Sequence, residues 1–279
     1  MSETIGFIGV GQIGGTVARL AVDAGYKVVL SNSRGPESLS GAISSLGENA
    51  KADTSANIAK DENIKIIVLS IPLNAVPTLL PSLGLKNKII LDTSNYYPFR
   101  EGNLEELDSN KLTTSEYVLK YLDPSNKLVK IFNNIISVQL RNSATQDESK
   151  QTILPIAGND DEAKKITTEF CAKIGYKTYD VGPSSLSWKF EPNTPFYGGV
   201  YLPKAPEGSD HEALKAFYKK APANPLTHEK VKQIIDATER PTVVGGRPEG
   251  FPKYLLEIIT ELYVEQAKDK ASGNSKLIL

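Results

Sequence analysis

Two short stretches carry residues whose types and spacing can do chemistry: Gly9-Val10-Gly11-Gln12-Ile13-Gly14, and Ser31-Asn32-Ser33-Arg34. The first matches G-x-G-x-x-G. In that pattern the first glycine allows a tight turn out of a strand, and the second lets the backbone approach a pyrophosphate. The third lets a helix pack close to the strand. The helix N-terminus then offers free N–H groups and about half a positive charge to phosphates. The second stretch ends what reads as the next strand, KVVLS. Such a strand usually ends in an acidic residue that holds the adenosine ribose. Here no carboxylate follows it, so nothing repels a 2′-phosphate. Asn32 and Ser33 can donate hydrogen bonds to that phosphate, and Arg34 can pair with it or stack on adenine. A hydrogen bond to a charged group contributes about 1.5–3 kcal/mol, so two or three favour NADP over NAD by orders of magnitude. NADP is the expected cofactor, and Pro36 helps to fix the loop.

The elements that must position these residues are legible as alternation. Apolar, β-branched runs at 4–9, 27–31, 64–70, 87–93, 127–132, 152–158 and 176–181 read as strands. Most are apolar on both sides of the alternation, as strands in a parallel sheet covered by helices should be. Helical periods over 12–24 and 160–173 lie between them. A lone glycine motif is a weak signal. This one sits between an apolar strand and a helix with Ile13, Val17, Leu20, Ala21 and Ala24 on one side. Gly25 is placed to end that helix, and in this context the motif is strong. The expected fold is α/β: a Rossmann-type, doubly wound, mainly parallel sheet.

In this architecture ligands lie across the carboxyl ends of the strands, which singles out three loops. Ser70-Ile71-Pro72-Leu73 would form a stiff apolar lip under the ribose and nicotinamide. Asn95, Tyr96 and Tyr97 can face cofactor or substrate, and Asn133 and Asn134 can hold the nicotinamide side. Each also has a plain reading as loop residues that satisfy their own backbone.

After Gly182 the composition changes. Ten of the seventeen prolines lie between Pro183 and Pro252, which breaks up long elements. Short helices are expected at 210–220 and 227–238, and a longer one at 252–270. The expected organisation is an NADP-binding domain at 1–182 and a smaller, mainly helical region at 183–279 that carries an acceptor site, a dimer contact, or both. The apolar face at 252–264 suggests a homodimer, or closure of the protein's own core.

Bulk properties exclude several classes. Apolar content of 40% and charged content of 23% are those of a globular protein. A net charge of −1 offers no electrostatic case for nucleic acid or an acidic membrane. One cysteine and two histidines do not supply a zinc site of the usual ligand types, so no metal is expected. The apolar runs are too short for a membrane span, MSETIGFIGVG does not read as a signal peptide, and Ser275-Lys276-Leu277 is not terminal. Cytoplasm is the simplest location.

Acid–base candidates are few, and no catalytic residue is assigned. His211 and His228 lie among charged residues, Cys171 reads as a small core residue, and Lys130 or Tyr97 remain as proton donors. Hydride transfer to a flavin-like ring needs orientation more than a strong acid.

With these segments in view, the chain resembles the NADP-dependent coenzyme F420 (deazaflavin) reductases. The resemblance rests on IGFIGVGQIGGTVARLAVDAGYKVVLSNSRGPESL, VLSIPLNAV, DTSNYYP, VKIFNNI and ILPIAGNDDEAKKITTEFCAKIGYKTYDVGPSSLS. It implies that Val10-Gly11-Gln12-Ile13 binds the pyrophosphate, that Ser33-Arg34 grips the 2′-phosphate, and that Ile71-Pro72-Leu73 supports the nicotinamide end. Members of that family usually stop soon after VGPSSLS. Here the chain continues through WKFEPNTPFYGGVYLP, whose Trp188, Phe190, Phe196, Tyr197 and Tyr201 can reshape an acceptor pocket or anchor an irregular segment. Three functions are therefore weighed. One is hydride transfer between NADP(H) and a flavin or deazaflavin; another is NADPH-dependent reduction of an imine or ketone. The third is non-catalytic sensing of NADP(H).

Overall fold

The computed structural model describes residues 3–247 and 252–271; the Ser275-Lys276-Leu277 stretch lies outside them. Eight strands form one sheet: β1 (Thr4–Ile8), β2 (Lys27–Ser31), β3 (Ala50–Ala52), β4 (Ile66–Leu69), β5 (Ile89–Asp92), β6 (Lys127–Lys130), β7 (Ile153–Gly158) and β8 (Lys177–Gly182). Their order is β3-β2-β1-β4-β5-β6-β7-β8. Every pair is parallel except β6–β7, which is antiparallel. The chain thus reverses the direction in which it adds strands between β1 and β4, the switch point of a doubly wound sheet.

The alternation within each strand explains the layers. Val28 and Leu30 of β2, with Ile66 and Val68 of β4, enter one apolar cluster together with α1 (Gln12–Asp23). Val29, Ile67 and Leu69 point to the opposite cluster. That second cluster is closed by α3 (Ser55–Lys60), α4 (Val76–Leu83) and α7 (Thr114–Leu119). Both faces are buried, so both positions of the alternation are apolar. Between these lie α2 (Ser40–Leu46), α5 (Pro98–Glu101), α6 (Glu105–Asp108), α8 (Ser137–Asn142) and α9 (Asp161–Lys173). Asp160 caps α9 by accepting from the Ala163 N–H at 2.9 Å. The seven expected strands are present, with every end within two residues of the expected one. The added strand, β3, is the three-residue Ala-Lys-Ala, with no apolar run to announce it.

The segment after Gly182 enters the same core. Phe190, Phe196 and Tyr201 are buried with the β6–β7 side of the sheet, as are Val231 and Ile235 of α11 (His228–Ala237). Leu255, Ile258 and Leu262 of α12 (Lys253–Ala271) pack on Val138 of α8 and on Leu214, Phe217 and Tyr218 of α10 (His211–Lys220). The apolar face at 252–264 is therefore largely covered by its own chain. Its outer edge carries Lys215 paired with Glu261 at 3.1 Å and Glu265 at 2.9 Å, and His211 with Glu261 at 2.9 Å. Such exposed pairs contribute little to stability. Among the described residues no helix is long and apolar enough to cross a membrane.

Candidate active site

The glycine turn has the geometry the motif predicts. Gly9 adopts φ +93°, and a Cβ there would lie 2.1 Å from the Ser70 carbonyl oxygen. A Cβ on Gly14 would lie 2.3 Å from Gly9 O, so α1 packs hard against the end of β1. Gly11 is different, because no atom lies within 4 Å of the position of its missing Cβ. It is also the N-cap of α1, and no side chain caps the helix there. The first turn therefore presents backbone N–H groups to open space, with Val10, Gln12 and Ile13 half-buried around it. These residues fit a pyrophosphate: the approach is clear and the donors are unclaimed.

The loop after β2 adjoins this turn, because the Gly9 N–H donates to Ser31 O at 3.0 Å. Ser31 itself is fully buried and hydrogen-bonds Phe7 O and Ser55 Oγ, each at 2.9 Å. Asn32 builds the corner. Its Oδ1 accepts the Arg34 N–H at 2.9 Å and its Nδ2 donates to Ser38 Oγ at 2.9 Å. Ser33 and Arg34 are exposed, and the Arg34 guanidinium has no ion pair among the described residues. The nearest downstream acid is Glu37, whose Oε2 lies 3.0 Å from the Cβ position of Gly35, in the first turn after Pro36.

Beyond β4, Ile71 runs beside the glycine turn, its Cγ2 lying 3.1 Å from the Gly9 Cβ position. Pro72 is exposed on the lip, whereas the Leu73 side chain is fully buried in the core. Leu73 thus anchors the lip, and its N–H donates to Glu101 Oε1 at 3.3 Å.

Asn95 and Asn133 are brought together. Asn95 Nδ2 donates to Asn133 O at 2.7 Å, and Asn133 Nδ2 donates to Asn95 Oδ1 at 3.1 Å and to Phe190 O at 3.0 Å. Asn133 Oδ1 is buried with no partner among the described residues. The preceding Phe132 holds φ +63°, an uncommon conformation for a bulky residue and one that costs about 1–3 kcal/mol. Asn134 donates to Phe196 O at 2.9 Å. Strain and a paired-amide lock thus meet at the carboxyl ends of β5 and β6.

Beneath this lock lies an ion pair that removes one proton donor from consideration. Lys130 Nζ donates to Asp92 Oδ2 at 2.8 Å, to the Ser94 carbonyl and to Ser94 Oγ at 3.2 Å, and both charged side chains are fully buried. An ammonium has three donors, and all three are in use. Lys130 is a strut joining β5 to β6. Signals for it stood in the sequence: a lysine within VKIF and an aspartate closing IILD interrupt otherwise apolar strands.

Tyr97 and Tyr197 hydrogen-bond to each other through their hydroxyls, and Asn95 Nδ2 lies 3.4 Å from the Tyr97 hydroxyl. Burial raises the pKa of Tyr97, and burial with the neighbouring Tyr97 holds Tyr197 well above the ordinary phenol range. Both hold their protons. His211 is on the exposed α10–α12 edge, and His228 is exposed beside Tyr179. Cys171 is fully buried, and burial pushes its thiol up.

Of the aromatics after Gly182, Phe190, Phe196 and Tyr201 anchor the core, whereas Tyr197 faces a cavity of about 860 Å³. Tyr218, Tyr254, Leu202, Lys204 and Arg247 also line it. A strap over residues 243–247 crosses the Tyr96–Pro98 loop. The Gly246 N–H donates to Tyr96 O at 2.9 Å, and Asn193 Nδ2 donates to Val243 O at 3.0 Å and Gly245 O at 2.7 Å. A Cβ on Gly246 would sit 2.5 Å from the Tyr97 ring, so the approach needs glycine. No residue of the glycine turn lines this cavity; Tyr197, which does, hydrogen-bonds Tyr97 of the loop after β5.

The fold and the turn are of the Rossmann, dinucleotide-binding type. Residues 4–96 match the family described as NADP oxidoreductase, coenzyme F420-dependent, and the class is that of the NADP-dependent oxidoreductases. No curated protein matches the chain. Among solved structures, a hypothetical protein from Sinorhizobium meliloti is 23% identical, with a TM-score of 0.62, over 73% of this chain and 97% of its own. A protein from Arthrobacter sp. FB24, named for an F420-dependent NADP reductase, is 19% identical with a TM-score of 0.54, over 66% of this chain and 86% of its own. Both share the fold.

Proposed function

We propose that the protein binds NADP(H) and transfers hydride between it and a flat heteroaromatic acceptor of the flavin or deazaflavin type. The observation that carries this reading is the uncapped turn at Gly11, set beside the uncommitted Ser33 and Arg34. When bound, the cofactor supplies a hydride donor at its nicotinamide ring. The chain's own residues bind and orient. The first turn of α1 holds the pyrophosphate, Ser33 and Arg34 hold the 2′-phosphate, and the Ile71–Pro72 lip supports the nicotinamide side.

The acceptor side is proposed to lie against Tyr97 and Tyr197, reached from the cavity formed by residues after Gly182. Its size suits a drug-sized ring system, for which pockets span about 300–1,000 Å³. Reduction of a carbonyl or imine calls for a ready acid near the reacting atoms. Lys130 is fully engaged, and burial leaves both tyrosines weak as acids, which favours an acceptor that needs contact rather than protonation.

The test supplies NADPH with flavins, a deazaflavin, quinones and cyclic imines, and follows the loss of nicotinamide absorbance. Oxidation with the tricyclic acceptors is expected. Turnover with imines alone would reverse the acceptor assignment. Bound NADPH that stays reduced with every acceptor would point to a sensor instead.

A further inference from the structure

Glu101 is an unusual carboxylate. It belongs to the four-residue helix α5, and its neighbour Arg100 is 45% exposed, yet the Glu101 side chain is 0% exposed. All its described donors converge on one oxygen. Oε1 accepts from Arg100 Nε at 2.7 Å and from the Leu73 N–H at 3.3 Å, and it is ion-paired with Arg100 Nη2 at 2.6 Å. Oε2 is buried and has no partner among the described residues. Some nine in ten buried polar groups are satisfied, and sealing an acceptor without a donor is costly, more so for a charged group.

The location says what could meet it. Leu73 ends the lip that starts beside the glycine turn, and Glu101 follows β5. Both are on the β4–β5 side of the switch point, opposite the Asn32–Arg34 corner of β2. A dinucleotide laid across a doubly wound sheet places its adenosine over β2 and its other half over these strand ends. A carboxylate there repels phosphate and takes a neutral N–H donor. On that half the neutral donors are the ribose hydroxyls and the carboxamide N–H₂ of the pyridine ring, and of these only the carboxamide belongs to the ring itself.

Resting on the proposed nucleotide reading, we infer that Glu101 Oε2 accepts the carboxamide N–H of the cofactor's nicotinamide and so fixes the orientation of the ring. Arg100 and the Leu73 N–H position the carboxylate by holding its other oxygen.

Calorimetric titration of the full chain with three probes tests this: NADPH, its reduced 3-acetylpyridine analogue, in which a methyl replaces the amide N–H₂, and adenosine 2′,5′-bisphosphate. The unaltered protein is expected to bind NADPH about tenfold or more tighter than the analogue. In Glu101→Ala that ratio falls to near one, while the bisphosphate binds as before. Glu101→Gln keeps the shape and an oxygen for Arg100, but presents an N–H₂ group to the ligand's own; it should lose the preference too. If Glu101 merely holds the lip, both ring-bearing nucleotides weaken together and their ratio is unchanged, which overturns the inference. Bisphosphate binding in the same samples isolates that failure. If the unaltered protein does not bind the bisphosphate at all, the nucleotide reading fails and takes this inference with it.

Discussion

After β2, Asn32 uses its Oδ1 and one Nδ2 hydrogen on the turn, and Ser33 and Arg34 are exposed; on the proposed reading they meet the 2′-phosphate. Replacing Arg34 with alanine should therefore weaken NADPH by about ten- to a hundredfold, the range of a lost charged hydrogen bond, and leave NADH almost unchanged. Fluorescence titration of both nucleotides checks this, and equal affinities in the unaltered protein would refute the NADP assignment. The tyrosine pair makes a second prediction. Burial raises both phenols, so neither loses its proton across the neutral range. Hydride transfer to a flat acceptor should then be flat from about pH 7 to about pH 9, since neither phenol titrates there; a sloping single-turnover rate would mean that another group gives a proton. At this scale the glycines were legible because each has its own steric demand. The turn contacts of Asn32 were not, since its sequence position does not say which neighbouring groups its carboxamide will meet. Glu101 was also hidden, because Arg-Glu on a short helix reads as a solvated pair.

The Lys130–Asp92 strut belongs to the element scale, because it ties the ends of β5 and β6 where the Asn95–Asn133 lock sits. Lys130→Met leaves a buried carboxylate without its cation and should cost about 3–5 kcal/mol, read as a lower urea midpoint. Adding Asp92→Leu should recover part of that loss, because the stranded charge is gone; a double variant weaker than the single would contradict the strut. The strands themselves were readable, since runs such as IIVL fill both faces of a covered sheet. β3 was not, because Ala-Lys-Ala pairs with β2 through its backbone and buries little side chain. The reversal at β7 was equally invisible: an all-apolar strand fits a covered sheet in either direction, and direction is set by the path of the connecting chain.

Across the whole molecule, the region after Gly182 shares the sheet's apolar core and completes the α8–α10–α12 cluster. Ile258, fully buried in that cluster, is a direct probe of it. Ile258→Ala should cost about 2–5 kcal/mol, and limited proteolysis should then release α12 earlier than in the unaltered protein. Cys171 reports on the rest. Sealed in the core with its thiol pushed up, it should react with thiol reagents only as the fold opens, so labelling and urea unfolding should share one midpoint. The change in composition after Gly182 was plain in the sequence, but its docking partners were not, since prolines break elements without saying where the pieces go. Gly246 clasps Tyr96 from the far end of the chain. Synthesis proceeds from the N-terminus, so a nascent chain exposes the sheet and its glycine turn well before the clasp emerges. The Tyr96–Pro98 loop takes its finished shape last, and a polypeptide cut short before Gly245 would carry the whole eight-stranded sheet with that loop unsecured.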